Sequence, residues 1–503
     1  MFQQVPLQFR PGIYANRSKR SSEQRWVDGD LIRFRDDVPA QMGGWRALPV
    51  SGATIAGRPC GAIAWRPNSQ SGRFMAIGTN SHAYLFDGSF LSDITPSDMT
   101  VGRTDSIEGV GYGAGPFGDD TYGTPRTISG ITLVATSWTF DMFGETVLGV
   151  PTSDGLIREF TEGSDTLLTT VTEAPTCRAL VVSPERHVFA LGADDNPRLV
   201  QWSDREDYTV WEPLSTNRAG GYEMQVTSPF QCGARVRGLT CAWTESEMVV
   251  FEPSFNALVY SRQTVDESTG AVGPGAVAVI AEQAGASAFW FGIDGFYMFD
   301  GIVRKLNCEL QDYVFGDINL SQRAKFTATT NVEFQEIRFS YCSAGSMEID
   351  RCVVLCTRNG AWSKMNIERT VWVDRKIFRK PIALNASGAI YEHEVGETAD
   401  GLAMQSFATS HPLTLGTGQS MMHIASFWPD LDPASDGAAL TIIGKDYPGG
   451  PDIVFGPYSF AKTAEKVDLS VNVRQAQVKM SGNGGYWEMG LPMIDVQQSG
   501  GRG

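Results

Sequence analysis

A single hairpin phrase recurs along this chain and constrains its fold more than any other feature: a turn, an apolar or tyrosine-rich strand, then a second glycine turn. Close copies run Asn80 to Gly88, Ser153 to Phe160, Ile293 to Gly301 and Ala386 to Tyr391, with looser ones at Asp194 to Trp202 and Thr244 to Phe251. Asp-Gly and Ser-Gly pairs at such turns supply the positive φ that tight hairpins require. The turn positions 82, 155, 196, 247, 295 and 388 are separated by 73, 41, 51, 48 and 93 residues. The middle three intervals fit the roughly 40–50 residues of a four-stranded propeller blade. The chain therefore reads as all-β, a β-propeller of about six blades, with ordinary hairpins in stacked sandwiches as the competing arrangement.

The rest of the pattern divides the chain into three. Residues 1–50 form a basic arm and part of a platform, residues 51–400 the propeller, and residues 401–503 a β-sandwich-like platform domain. Within the propeller, Gly109 to Gly130 carries seven glycines among aromatic and acidic residues and reads as an inserted loop. The long interval before position 388 leaves room for a short helical stretch near Asn319 to Lys325, capped by Asn319 or Ser321, and for an extra strand pair. After Gly401, runs such as Leu440 to Ile443 and Val467 to Val471 alternate like a compact antiparallel sheet, and the tail from Gln498 reads as disordered.

Charge is low and lopsided. Charged residues make up 19% of the 503 residues, with 54 Gly and 25 Pro, which argues against coiled coils, long helical bundles and charge-driven disorder. The net charge is −16, so the surface as a whole is unsuited to gripping nucleic-acid phosphates. Residues 1–35 nevertheless carry a local +4, against −20 for the remainder, giving an acidic body with a basic arm. The N-terminus shows no apolar stretch of a secretory signal. The longest nearly charge-free apolar run, Gly270 to Ala281, is too short and too rich in glycine to span a bilayer. Eight scattered cysteines read as reduced core thiols.

Chemical signatures are sparse. A Walker phosphate loop, a His-Glu-x-x-His pair and a Gly-x-Ser-x-Gly elbow are all missing, and so is the Ser-x-Asp-x-Gly-x-Thr-Trp box of sialidase-like propellers. His393 between Glu392 and Glu394 reads as an exposed strand end, with a metal or acid–base site as the alternative. Cys352 and Cys356 read as core residues rather than metal ligands. Asp119, Asp120, Asp194 and Asp195 read as loop carboxylates. No catalytic residue, metal or cofactor is expected.

Three N-terminal segments carry a family likeness: Phe9 to Ile13, Arg25 to Arg35, and Met42 to Trp45. Further matching pieces follow in order, at Ile77 to Asn80, Ser92 to Pro96, Arg186 to Gly192, Trp202 to Asp207, Phe291 to Gly301, and Phe455 to Tyr458. Together they resemble the tail nozzle, or tail-hub and packaged-DNA-stabilising, proteins of short-tailed bacteriophages. The resemblance implies a propeller on a platform built from the terminal segments and a homo-hexameric ring below the portal and adaptor. It also implies tail fibres or a plug as partners, and a central channel through which genomic DNA passes without sequence-specific binding.

On this reading the protein is a non-enzymatic virion subunit made in the host cytoplasm. Asp119, Asp120, Asp194 and Asp195 are then candidates for an acidic channel or loop surface that lets a polyanion slide. Arg10, Arg17, Arg20, Arg25, Trp26, Arg33 and Arg35 are candidate assembly contacts, the arm docking on an acidic neighbouring subunit. Truncating residues 1–35 is expected to abolish attachment and leave the propeller folded. The alternative is a propeller-bearing glycan-binding or glycan-cleaving protein of a tail or cell surface.

Overall fold

The computed structural model describes the chain outside residues 1, 20–21, 23, 69–71, 108–132, 255–258, 283–284, 416–419 and 500–503. Arg20, Asp119, Asp120 and the Gly109 to Gly130 insert lie outside the described residues. Strands dominate, as the β-branched and aromatic runs dictate. Among the described residues no helix is long and apolar enough to cross a membrane.

Seven small, mostly antiparallel sheets follow one another from residue 51 to residue 393. Their first strands are Pro59–Trp65, Trp138–Phe143, Ala179–Val182, Phe230–Val236, Val277–Glu282, Thr327–Asn331 and Val371–Val373. Each first strand lies against the first strand of the next sheet, and Val371–Val373 lies against Pro59–Trp65. The seventh sheet takes its fourth strand from the other end of the chain: Trp45–Ala47 pairs antiparallel with Ile390–His393.

The recurrent phrase occupies the same place in six of the seven sheets, the turn between second and third strands. Residues 80–82 join Phe74–Thr79 to Ala83–Phe86, for example, and residues 152–157 join Thr146–Pro151 to Arg158–Thr161. The remaining sheet, residues 327–365, fills the 93-residue interval, so two strand pairs stand where one extra pair was expected. Its turn is not a tight hairpin but a longer loop closed by side chains, with Ser343 Oγ donating to Asp350 at 2.7 Å. The expected helical stretch is a 3-10 helix over Leu320–Lys325, where the Asn319 side chain accepts from the Ser321 N–H.

Tryptophans join neighbouring sheets. Trp138 opens the second sheet and donates its indole N–H to the Thr79 carbonyl of the first at 2.8 Å. Its ring lies over Gly78, where an added Cβ would fall 2.3 Å from it, so glycine is required there by close approach. Trp290 donates to the Thr269 carbonyl at 2.8 Å and Trp362 to the Asn307 carbonyl at 3.0 Å. A buried indole finds its partner in this way while its ring fills the gap between sheets.

The two ends of the chain build a second body together. Arg10–Ile13, Arg25–Asp30, Phe407–Ser410, Gln475–Gly482, Gly437–Lys445 and Ile453–Ala461 lie side by side in that order in one sheet. Gln3–Pro6, Met493–Ser499, Met421–Trp428 and Val467–Val473 form another. Gln498 and Ser499, read as tail, therefore close a strand. The two sheets meet through Phe427 and Phe460, whose ring centroids are 5.8 Å apart, and share the buried Ile424, Leu440, Val471 and Val478. This body packs on Trp362–Met365, the outermost strand of the sixth sheet, through Arg10–Ile13, Arg25–Asp30 and Ile32–Arg35. Lys364 pairs with Asp28 at 2.8 Å across that contact.

Candidate functional site

Strand alternation places the connections into each first strand and the turns between second and third strands on one face of the seven sheets. A cavity of about 450 Å³ opens there, bordered by residues 134–137 and 152–155 of the second sheet, 176–178 and 192–197 of the third, and reaching Gln231, Pro274 and Ala324 of the next three. Of its bordering ionic side chains Asp154 is matched, and so are the ions behind the wall. Arg158, fully buried, grips the Asp154 carboxylate with two hydrogen bonds of 3.0 and 2.9 Å. Arg323 pairs with Glu245 at 2.9 Å, which also accepts from Gln231 at 3.2 Å. Nearby on this face, Lys325 pairs with Asp105 at 2.6 Å and Arg58 with Glu348 at 2.6 Å. Burial opposes ionisation of Asp105 and Glu348, but these cations outweigh it and hold both carboxyls below their usual range.

Arg178 is different. It borders the cavity, and its guanidinium has no hydrogen-bond or ion-pair partner among the described residues. Burial lowers its pKa, against the attraction of Glu245 and together with the weaker repulsion of Arg323. Gly192 at φ +67° makes room for its stem, since a Cβ there would lie 3.2 Å from Arg178 Cγ and Cδ. Asp195 is exposed at the rim at φ +59°. Asp194, at φ +49°, accepts from Gln201 at 3.1 Å. Sequence reasoning singled out these two carboxylates but not Arg178, whose isolation depends on partners being absent in space.

The basic arm is spent mostly inside the chain. Trp26 and Arg33 are buried, which corrects their reading as assembly contacts. Arg33 reaches out of the terminal body into the sixth and seventh sheets, bonding Glu336 at 2.8 Å and Glu394 at 2.6 Å. Arg338 joins Glu394 at 3.0 Å and Asn331 donates to it at 2.9 Å. Arg25 is ion-paired with Glu309, and Arg35 pairs with Glu488 at 3.5 Å. Arg10 and Arg17 are exposed, and Arg10 borders a cavity of about 1100 Å³ in the terminal body.

His393 also departs from its reading, being buried rather than exposed. Glu394 turns to φ +58°, so it leaves the strand alternation and enters the Arg33 cluster, while Glu392 pairs with Arg46 at 2.7 Å. The His393 ring stacks 5.5 Å from Trp45 and accepts from Arg369 Nε at 2.9 Å. Burial, then Arg369 and Arg338, push its pKa well below the ordinary value. The folded chain thus keeps this imidazole neutral in a window where the unfolded chain, titrating near 6.5, takes a proton. Stability is expected to fall by roughly 1 kcal/mol between pH 6.5 and 5.5 from this residue. His187, lowered first by its own burial, acts in the same direction. Urea unfolding of wild type and His393→Gln at both pH values checks this, the variant losing distinctly less.

All eight cysteines are free and seven of them buried. Burial raises the thiol pKa of Cys60, Cys232 and Cys241 to about 12, so these are inert core groups. Among the described residues no three His, Cys, Asp or Glu side chains gather as a metal cluster would require.

No protein-family model and no curated protein matches the chain. Among solved structures, a protein from Bacteroides fragilis described as exported aligns with 49% of this chain and 78% of its own, at 6% identity and a TM-score of 0.28. An exo-β-1,3-galactanase from Phanerochaete chrysosporium aligns with 90% of this chain and 100% of its own, at 9% identity and a TM-score of 0.28. A glycoside hydrolase covers 72% of this chain and 96% of its own, at 8% identity and a TM-score of 0.23. The structures returned include glycoside hydrolases, which stands against the expectation of a non-enzymatic chain. Similarity at this level transfers no activity to the chain.

Proposed function

We propose that the chain is a tail nozzle or hub subunit of a short-tailed bacteriophage, in which the seven sheets are blades of a closed propeller and the two chain ends form its platform. Copies stand in a ring below the portal and adaptor, and the genome passes through the acidic centre. The observation that carries this reading is the junction. The three N-terminal segments that resemble the family are the ones that pack on the sixth sheet, insert Arg33 between the sixth and seventh, and supply the fourth strand of the seventh. The contact of Val371–Val373 with Pro59–Trp65 supports closure of the ring. The net charge of −16 suits a conduit, since every neutralised phosphate would add affinity and drag. Purified phage particles from the source, analysed by peptide mass spectrometry, should contain this chain at about half the copy number of the portal. Its absence from the particle overturns the reading.

A second reading, a propeller that binds or cleaves glycans on a tail or cell surface, is favoured by the cavity around Arg178. It requires the free chain to bind or degrade capsule or cell-wall polysaccharide, which calorimetry and reducing-end assays test directly.

A further inference from the structure

We propose that the 450 Å³ cavity on the turn face binds a carboxylate-bearing saccharide, with the Arg178 guanidinium holding the carboxylate. This inference rests on the glycan reading and names its ligand class. Its volume falls within the range of small-molecule sites, roughly 300–1,000 Å³.

Arg178 is the cation of the wall without a hydrogen-bond or ion-pair partner among the described residues. Arg158 is ion-paired with Asp154 and Arg323 with Glu245, while Arg178 borders the cavity with its stem held along Gly192. A planar guanidinium with free parallel N–H groups matches a carboxylate bidentately. Partial burial strengthens that match, because water competes less for the donors.

The surrounding groups select the rest of the ligand. Asp195 at the rim offers acceptors for hydroxyl hydrogens, and Gln231 and the backbone of the two turns add further polar atoms. Pro197, Pro229 and Pro274 give flat apolar wall against which a sugar ring can lie. The two bordering carboxylates, Asp154 and Asp195, disfavour a dianionic phosphate, whereas a single carboxylate is matched in charge by Arg178 alone. One anionic group, several hydroxyls and an apolar ring face together describe a uronic-acid unit.

Isothermal titration of the full chain with a galacturonic-acid trisaccharide, and with the galactose trisaccharide of the same linkage, tests the proposal. The uronate should bind more tightly than its neutral counterpart, and Arg178→Gln should weaken the uronate at least about tenfold and by more than it weakens the neutral sugar. Arg178→Lys should fall between, since it keeps the charge and loses the fork. Arg178 makes no partner that its replacement would orphan, so an unchanged melting curve is expected for both variants and confirms that they are folded. Equal affinity for the two trisaccharides overturns this inference and leaves the glycan reading standing. Binding of neither overturns both. A uronate preference untouched by Arg178→Gln, or inorganic phosphate competing as well as the uronate, overturns the assignment to Arg178 and to a carboxylate.

Discussion

Arg33→Met is expected to lower the free energy of unfolding by about 3–5 kcal/mol, the range found when one partner of a buried ion pair is removed. The cause is the pair of carboxylates left behind. Glu336 and Glu394 are both buried, and Arg338 alone cannot neutralise them. In the native chain, burial by itself would weaken the Arg33 charge, but Glu336 and Glu394 outweigh it and raise the guanidinium pKa. Conversely, although burial opposes it, Arg33 and then Arg338 hold the Glu394 carboxyl below its usual range. That contribution is present above the unfolded carboxylate pKa and is lost as pH falls through the lower folded value. Adding Glu394→Gln to Arg33→Met should recover part of the loss, because charge balance with Arg338 is restored. Urea unfolding at pH 7 reads both effects. A loss below about 1 kcal/mol for the single variant would place the cluster in water rather than in the junction.

Much of the fold was legible because tight turns are local. Asn80 to Gly88, Ser153 to Phe160 and their relatives mark second-to-third-strand turns, where residues such as Gly155 at φ +70° and Gly388 at φ +85° do what turn chemistry demands. The sixth sheet escaped because its corresponding loop is held by side chains, among them Ser343 on Asp350 and Ser346 on the Glu348 carbonyl at 2.6 Å. The division into a middle and two ends was readable from pattern changes. The strand that Trp45–Ala47 lends to a sheet some 340 residues away was not, since nothing in three residues announces a distant partner.

The site was less legible for the same reason. Arg33 and Arg17 look alike in a basic run, yet one is buried against carboxylates of two sheets and the other is exposed. His393 was placed on an alternating strand, and the positive φ of Glu394 broke that alternation. Arg178 carries no motif at all. Its interest comes from Arg158 and Arg323 each being ion-paired with a carboxylate while it has no ion pair among the described residues, a fact of arrangement rather than of sequence.

Deletion of residues 1–50 is expected to abolish cooperative folding of the whole chain, against the simpler expectation that the arm is dispensable to the sheets it decorates. The deletion removes Trp26, Ile32 and Phe34 from the core, each worth about 1.5–3 kcal/mol of burial. It also removes Arg33, at about 3–5 kcal/mol. The combined loss is on the order of 10 kcal/mol, comparable with the roughly 5–15 kcal/mol that keeps a typical domain folded. Two strand losses compound it. Phe407–Ser410 loses Arg25–Asp30 from its edge, and Ile390–His393 loses Trp45–Ala47, exposing an unpaired strand edge ready to pair with another chain. Deletion of residues 1–24 is a milder case, because it takes Gln3–Pro6 and Arg10–Ile13 from sheet edges and leaves Arg25–Asp30, Arg33 and Trp45 in place. Near-UV circular dichroism and gel filtration should therefore show aggregation or a molten chain for the longer deletion, and a folded, less stable monomer for the shorter. A sharp thermal transition for the longer deletion, within a few degrees of wild type, would mean that the seven sheets hold together without the strand and the cation that the N-terminus supplies. The junction would then serve only to seat the terminal body.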